Sequence, residues 1–150
     1  MTRPTLYDAA GGGPAMYDLA HAWHQRVLAD PVVSHAFSHG FHPDHSARLA
    51  AYFGEQLGGP ATYSERIGDQ SFVVRLHAGN GEHHELSQRA LACFVEALDD
   101  CRIPPDPDLR QALTDWFTHG IGLMDAYPDS PDDVPDGLAI PRWGWEGPSA

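Results

Sequence analysis

At 150 residues and 42% hydrophobic content, the chain carries enough apolar material for one buried core. Its formal net charge of −12, with every one of its nine cations an arginine, repels phosphate backbones and argues against nucleic acid as a partner. No apolar run approaches the roughly 20 residues that cross a bilayer, and Met1-Thr2-Arg3-Pro4-Thr5 lacks the apolar stretch of a leader, so the chain reads as cytoplasmic, with no membrane partner.

Glycine and proline punctuate a pattern that is helical throughout. Gly11-Gly12-Gly13-Pro14 closes a short N-terminal segment, and Pro14 suits a first helical turn. A helix is expected over about 14–29, because Met16, Leu19, Ala20, Trp23 and Val27 recur at steps of three and four. Asp30-Pro31 ends it, since the residue before proline avoids the helical region. A short helix or turn over 31–37 carries Val32, Val33, Ala36 and Phe37, and a polar link runs from Ser38 to His42.

The next helix begins near Pro43-Asp44, presents Leu49, Tyr52, Phe53 and Leu57, and stops at Gly58-Gly59-Pro60. Thr62 with Glu65 three residues on fits a capping box and one helical turn. Phe72 to Leu76 reads as a loop or short helix, because a lone strand would have no partner here, and His77 sits at its end. Asn80, within Gly79-Asn80-Gly81, is the expected cap of a helix over about 82–101. Asp106-Pro107 is a cap and first-turn pair opening a last helix over about 107–126. Beyond it Ile140, Trp143 and Trp145 are too apolar for a free linker. The reading is an all-α domain over 1–126 with a C-terminal extension, 127–150, folded back onto it.

Cys93 and Cys101, eight apart on one expected helix, are about 12 Å apart along its axis. That is too far for a disulfide, and they read as core thiols. The ten histidines invite a metal reading. His21 and His24, and the run His35, His39, His42 and His45, are spaced by three or four residues. Neither cysteine is near them, and Glu82-His83-His84-Glu85 has the wrong order for a di-iron bundle. A helical protein binding zinc or paired iron ions is therefore the lesser alternative.

The stretch from Gly58 to His77 singles out one histidine. Gly58-Gly59-Pro60, Thr62-Tyr63-Ser64-Glu65 and then Val73-Val74-Arg75-Leu76-His77 follow one another in that order. Together with Gly11-Gly12 and Phe37, the order resembles the truncated haemoglobins, and within them group II, over about residues 5–126. The resemblance implies two helix pairs sandwiching a haem, with His77 as the axial iron ligand and Phe37 wedged against the haem face. A b-type haem is expected, because no Cys-x-x-Cys-His is present to attach it covalently. Phe72, Val74, Leu76, Leu86, Phe94 and Phe117 are the expected walls, and Arg75 and Tyr63 the expected propionate partners.

On the ligand side the chain departs from the group II pattern. Those proteins place a tyrosine after an aromatic late in the second helix, where this chain has Trp23-His24. Their tryptophan early in the penultimate helix falls on Ala90, and no tryptophan lies between residues 24 and 115. His24, His45 and Leu49 are left to touch a ligand, with Tyr52 and Phe53 continuing the His45 face. The function expected from the resemblance is binding of O2 or another diatomic such as NO or CO. The alternatives are a haem redox enzyme, peroxidase-like or nitric-oxide dioxygenase-like and served by a reductase, or a six-coordinate redox sensor in which His24 or His45 binds the iron. A monomer or a homodimer is expected.

Overall fold

A computed structural model describes residues 3–149. Met1, Thr2 and Ala150, the extreme ends of the stretch read for a leader and of the C-terminal extension, lie outside the described residues. The chain runs through α1 (Leu6–Ala10), α2 (Gly12–Ala29), a 3-10 turn (Val33–Phe37), α3 (His45–Gln56), α4 (Thr62–Arg66), α5 (Gln70–His77), α6 (His84–Asp100) and α7 (Pro107–Met124). A second 3-10 turn (Pro131–Asp133) and a small antiparallel hairpin of β1 (Arg142–Gly144) and β2 (Gly147–Ser149) complete it. α2 packs along α3 and crosses α6, and α6 lies against α7.

The apolar stripes expected from spacing meet in one core. Met16 and Leu19 of α2, Phe53 of α3, Phe94 and Leu98 of α6, and Leu109, Leu113 and Trp116 of α7 are all buried there. Removing this much apolar surface from water is the main stabilising term. Arg26 ties α2 to α6 outside the core, donating to Glu96 at 2.6 Å and to Asp100 at 2.7 Å.

Asp106 caps α7 as expected, accepting from the Asp108 N–H at 2.9 Å with Pro107 in the first turn. Of the two readings open for Phe72 to Leu76, the short helix is found, within α5, which Asp69 starts by accepting from the Phe72 N–H at 2.8 Å. Two local expectations are corrected. Thr62 is the first residue of α4, not its cap; the buried Glu55 of α3 supplies the acceptor instead, 2.8 Å from the Ser64 N–H. Asn80 does not cap α6, because its amide turns back and donates to the His77 carbonyl at 2.9 Å, closing the end of α5. In both corrections a partner on another helix, or on the other side of the turn, is nearer in space.

The tail folds back, with Ile140, Trp143 and Trp145 packed on the core. The Trp145 indole donates to the Pro4 carbonyl at 2.7 Å, and the Arg3 guanidinium lies 4.0 Å from its ring centre.

The Gly58-Gly59 break has a steric cause. Gly58 has φ +100, and a Cβ on Gly59 would sit 2.6 Å from the Tyr7 ring and 2.8 Å from the Gly54 carbonyl oxygen. Gly59→Ala is expected to destabilise the fold by about 1–3 kcal/mol through this overpacking. Gly122→Ala, in α7 with nothing within 4 Å of a new Cβ, is expected to stabilise it by about 0.4–1 kcal/mol. Urea unfolding of the two variants checks both signs.

Candidate functional site

The C-terminal half of α2 and the start of α3 bring two histidines together. His24 is 3% exposed, and its ring centre lies 4.2 Å from that of His45. Phe37 closes on both, at 5.0 Å from His24 and 5.1 Å from His45. Phe41 stands edge-on to His24 at 4.5 Å. The Nε2 of His24 and the Nδ1 of His45 are buried without a hydrogen-bond partner. A cavity of about 210 Å³ opens beside the pair, lined among others by Tyr17, His21, Phe41 and Ser46.

Desolvation sets the charge state here. It pushes the His45 imidazole down to about 4, helped by His24, Arg48 and His42 nearby. His24 is lowered for the same first reason, with His21 adding to it. Both rings are neutral at pH 7, so each carries one N–H donor and one acceptor nitrogen. Below the unfolded value of 6.5 the unfolded chain takes up protons that the folded chain refuses, down to about pH 4 at His45. Stability present above pH 6.5 therefore drains away as the pH falls through that window.

His77 is the last residue of α5. Its Nδ1 lies 2.8 Å from the Val73 carbonyl oxygen. A carbonyl only accepts, so Nδ1 carries the proton and Nε2 keeps its lone pair. The residue is exposed at the surface of the chain, with Asp125 and His83 nearby. Desolvation lowers its pKa, opposed by the Val73 bond and Asp125. Gln70, Val73 and His77 fall on one stripe of α5; Gln70 accepts from the Tyr52 hydroxyl at 2.7 Å and Val73 enters the core.

The other expected wall residues divide. Phe53, Phe94 and Phe117 form one aromatic group with Trp23 and Trp116, with Phe94 and Phe117 stacked at 4.2 Å. Leu49 packs at the edge of the same core. Tyr52 and Tyr63 are buried against each other at 5.1 Å. Phe72 and Leu76 remain 42% and 65% exposed, a strip of apolar surface on α5. Arg75 turns to the tail, donating to the Val134 carbonyl at 3.0 Å and pairing with Asp136.

Two residues join the site without a clear signal in the sequence. Phe41 belongs to the polar link, and its only signal is an aromatic between two histidines. Trp23 falls on the apolar stripe of α2, but its indole N–H reaches the Ala90 carbonyl at 3.0 Å. It thus lands on the residue that stands where the group II pattern has its tryptophan. Among the described residues no three His, Cys, Asp or Glu side chains converge as a metal-ion site, which removes the support for the zinc or di-iron alternative.

Residues 5–119 match the family of bacterial-like globins. The chain belongs to that family. As a globin it is a haem-binding protein with the truncated-haemoglobin fold. It is similar to the haemoglobin of Chloroflexus aurantiacus, at 27% identity over 81% of this chain and 98% of that one, with a TM-score of 0.69. It is similar also to a thermostable haemoglobin of Thermobifida fusca, at 29% identity over 81% and 96%, with a TM-score of 0.66. The group II truncated haemoglobin of Bacillus anthracis shares the fold, with a TM-score of 0.73 over 87% and 97% at 19% identity. No curated protein matches the chain. No helix of the globin, among the described residues, is long and apolar enough to cross a membrane.

The residues present fit a haem: a neutral imidazole with a free lone pair at His77, apolar surface beside it on α5, and two buried ring nitrogens without partners at His24 and His45. In an NMR titration of the imidazoles, His45 is expected to stay neutral at pH 5. A His45 that titrates near 6.5 would show that its ring is solvated.

Proposed function

We propose that this globin binds O2 or another small diatomic ligand, NO or CO among them, at a non-covalent haem b held by His77. The observation that carries the reading is the Nδ1 contact of His77 with the Val73 carbonyl, which leaves the lone pair of its Nε2 free for iron. When bound, the haem supplies a coordination position for the ligand. The chain's own residues do the rest. The Val73 carbonyl fixes the tautomer and rotation of the His77 ring.

On the opposite side, His24 and His45 offer N–H donors from neutral rings. Phe37 packs on both rings and Phe41 on His24, and one nitrogen of each ring is buried without a partner. Leu49, a helical turn beyond His45, adds apolar surface to the same face. Trp23 contributes shape rather than a donor, because its N–H is already spent on Ala90.

The same pair supports a second reading as a redox enzyme, drawing electrons from a reductase and acting on NO or peroxide. Burial holds His45 neutral and lowers its affinity for protons, so in this reading the pair orients a substrate through N–H donation. Direct coordination of the iron by His24 or His45 belongs to the same reading. Ferrous spectra before and after CO addition test that coordination, and turnover with NO or peroxide under a supplied reductant separates enzyme from binder.

His77→Gly is expected to lose the Soret band on purification and to regain it when imidazole is supplied. Unchanged haem content in that variant would remove His77 as the ligand. His24→Leu and His45→Leu are each expected to speed O2 dissociation by about ten- to hundredfold, the worth of one charge-assisted hydrogen bond. Stopped-flow displacement of O2 by CO measures it; unaltered rates in both variants would place the donor elsewhere.

A further inference from the structure

We propose that residues 127–138 act as a strap that sets the direction of the His77 imidazole, with Ser71 as the positioning residue to which the strap is fastened. The inference rests on the reading of His77 as the iron ligand. α5 has only eight residues, too few to hold a helix by itself in water. Its packing is against α7 and the 3-10 turn at Pro131–Asp133. The tail grips it at both ends.

At the start of α5 the fully buried Ser71 hydroxyl donates to the Pro135 carbonyl at 2.7 Å and accepts from the Leu138 N–H at 3.0 Å. One turn on, Arg75 donates to the Val134 carbonyl. Past its end, the Gly79 N–H donates to the Tyr127 carbonyl at 2.9 Å and the Gly81 N–H to the Pro128 carbonyl at 2.8 Å. Gly79 has φ +79, and a Cβ there would meet Pro131 at 2.8 Å, so the strap crosses as close as backbone allows. Between these points Val134 is buried with Val74 and Ala78.

The residues gripped are 71, 74, 75 and 78, which share one stripe of the helix. His77 lies on the stripe of Gln70 and Val73, roughly 100° away, about a quarter turn around the axis at 3.6 residues per turn. A helix held along one stripe cannot roll, and rolling is the motion that would swing the imidazole out of line. Ser71 is the firmest fixture because its single hydroxyl serves both a donor and an acceptor of the strap in a site without water access. Loss of that hydroxyl leaves both partners unpaired.

The test uses the full-length ferrous haem protein. Ser71→Ala is expected to shift and broaden the iron–histidine stretching band in resonance Raman spectra and to speed amide exchange in α5 by about tenfold. Ser71→Thr, which keeps the hydroxyl, restores both. Leu98→Ala, which loosens the core on α6, leaves the band where it was. Val134→Ala, outside the family-matched residues, serves if Ser71→Ala does not fold, and is expected to move the band likewise. A band unmoved by either strap variant, with α5 exchange unchanged, overturns the strap. If His77→Gly keeps its haem, the ligand assignment fails and takes the strap's purpose with it.

Discussion

A polar atom withdrawn from water must be given a partner or remain a cost, and the molecule meets that demand nearly everywhere. Glu55 is spent on the Ser64 N–H, Gln70 on the Tyr52 hydroxyl and Ser71 on the tail. Among the described residues the exceptions are ring nitrogens of His24, His45 and His83. Two of these three adjoin each other, walled by Phe37 and Phe41. Such a pair is expensive to bury and is held neutral by that burial. It marks the part of the fold where buried polar atoms are left without a protein partner.

α2 is the element that makes this possible. It touches α3 on one side and α6 on the other, so consecutive residues near its end serve different neighbours. His24 turns to His45 at the head of α3, while Trp23 reaches the Ala90 carbonyl on α6 and the edge of Phe117 on α7. Helical geometry turns neighbouring side chains about 100° apart, which is the angle needed to feed both groups. The absence of tyrosine and tryptophan from their group II positions is thus met by a different division of labour. In the proposed reading imidazoles supply the donors, and the tryptophan N–H is engaged by Ala90.

Much of the helical scaffold was legible, because period and punctuation carry it. The stripes of α2, α6 and α7, the Asp106-Pro107 start and the Gly58-Gly59 stop all correspond to local chemistry that a single chain displays. The capping of α4 and the end of α5 were not legible. Thr62 fits a capping pattern, but Glu55 reaches the site from another helix; Asn80 stands beside α6 but answers to the carbonyl of His77. Phe72 to Leu76, a stretch that could pass for a strand, is helical within α5 because Asp69 starts the helix and Val73 and Val74 bury on two sides.

The candidate site divides the same way. The order of glycines, Tyr63 and His77 along the chain pointed to one histidine of ten, and the haem-binding family followed from that order. By itself the sequence determined the all-helical scaffold, the family and the absence of two customary donors, because spacing and residue identity are properties of the chain. Tertiary structure alone decided that His24 and His45 share one desolvated pocket, that Arg75 is engaged by the tail, and that Ser71 is fastened 64 residues away to Pro135. Burial and hydrogen-bond partners depend on what lies opposite a side chain in space, and no local pattern encodes its opposite number.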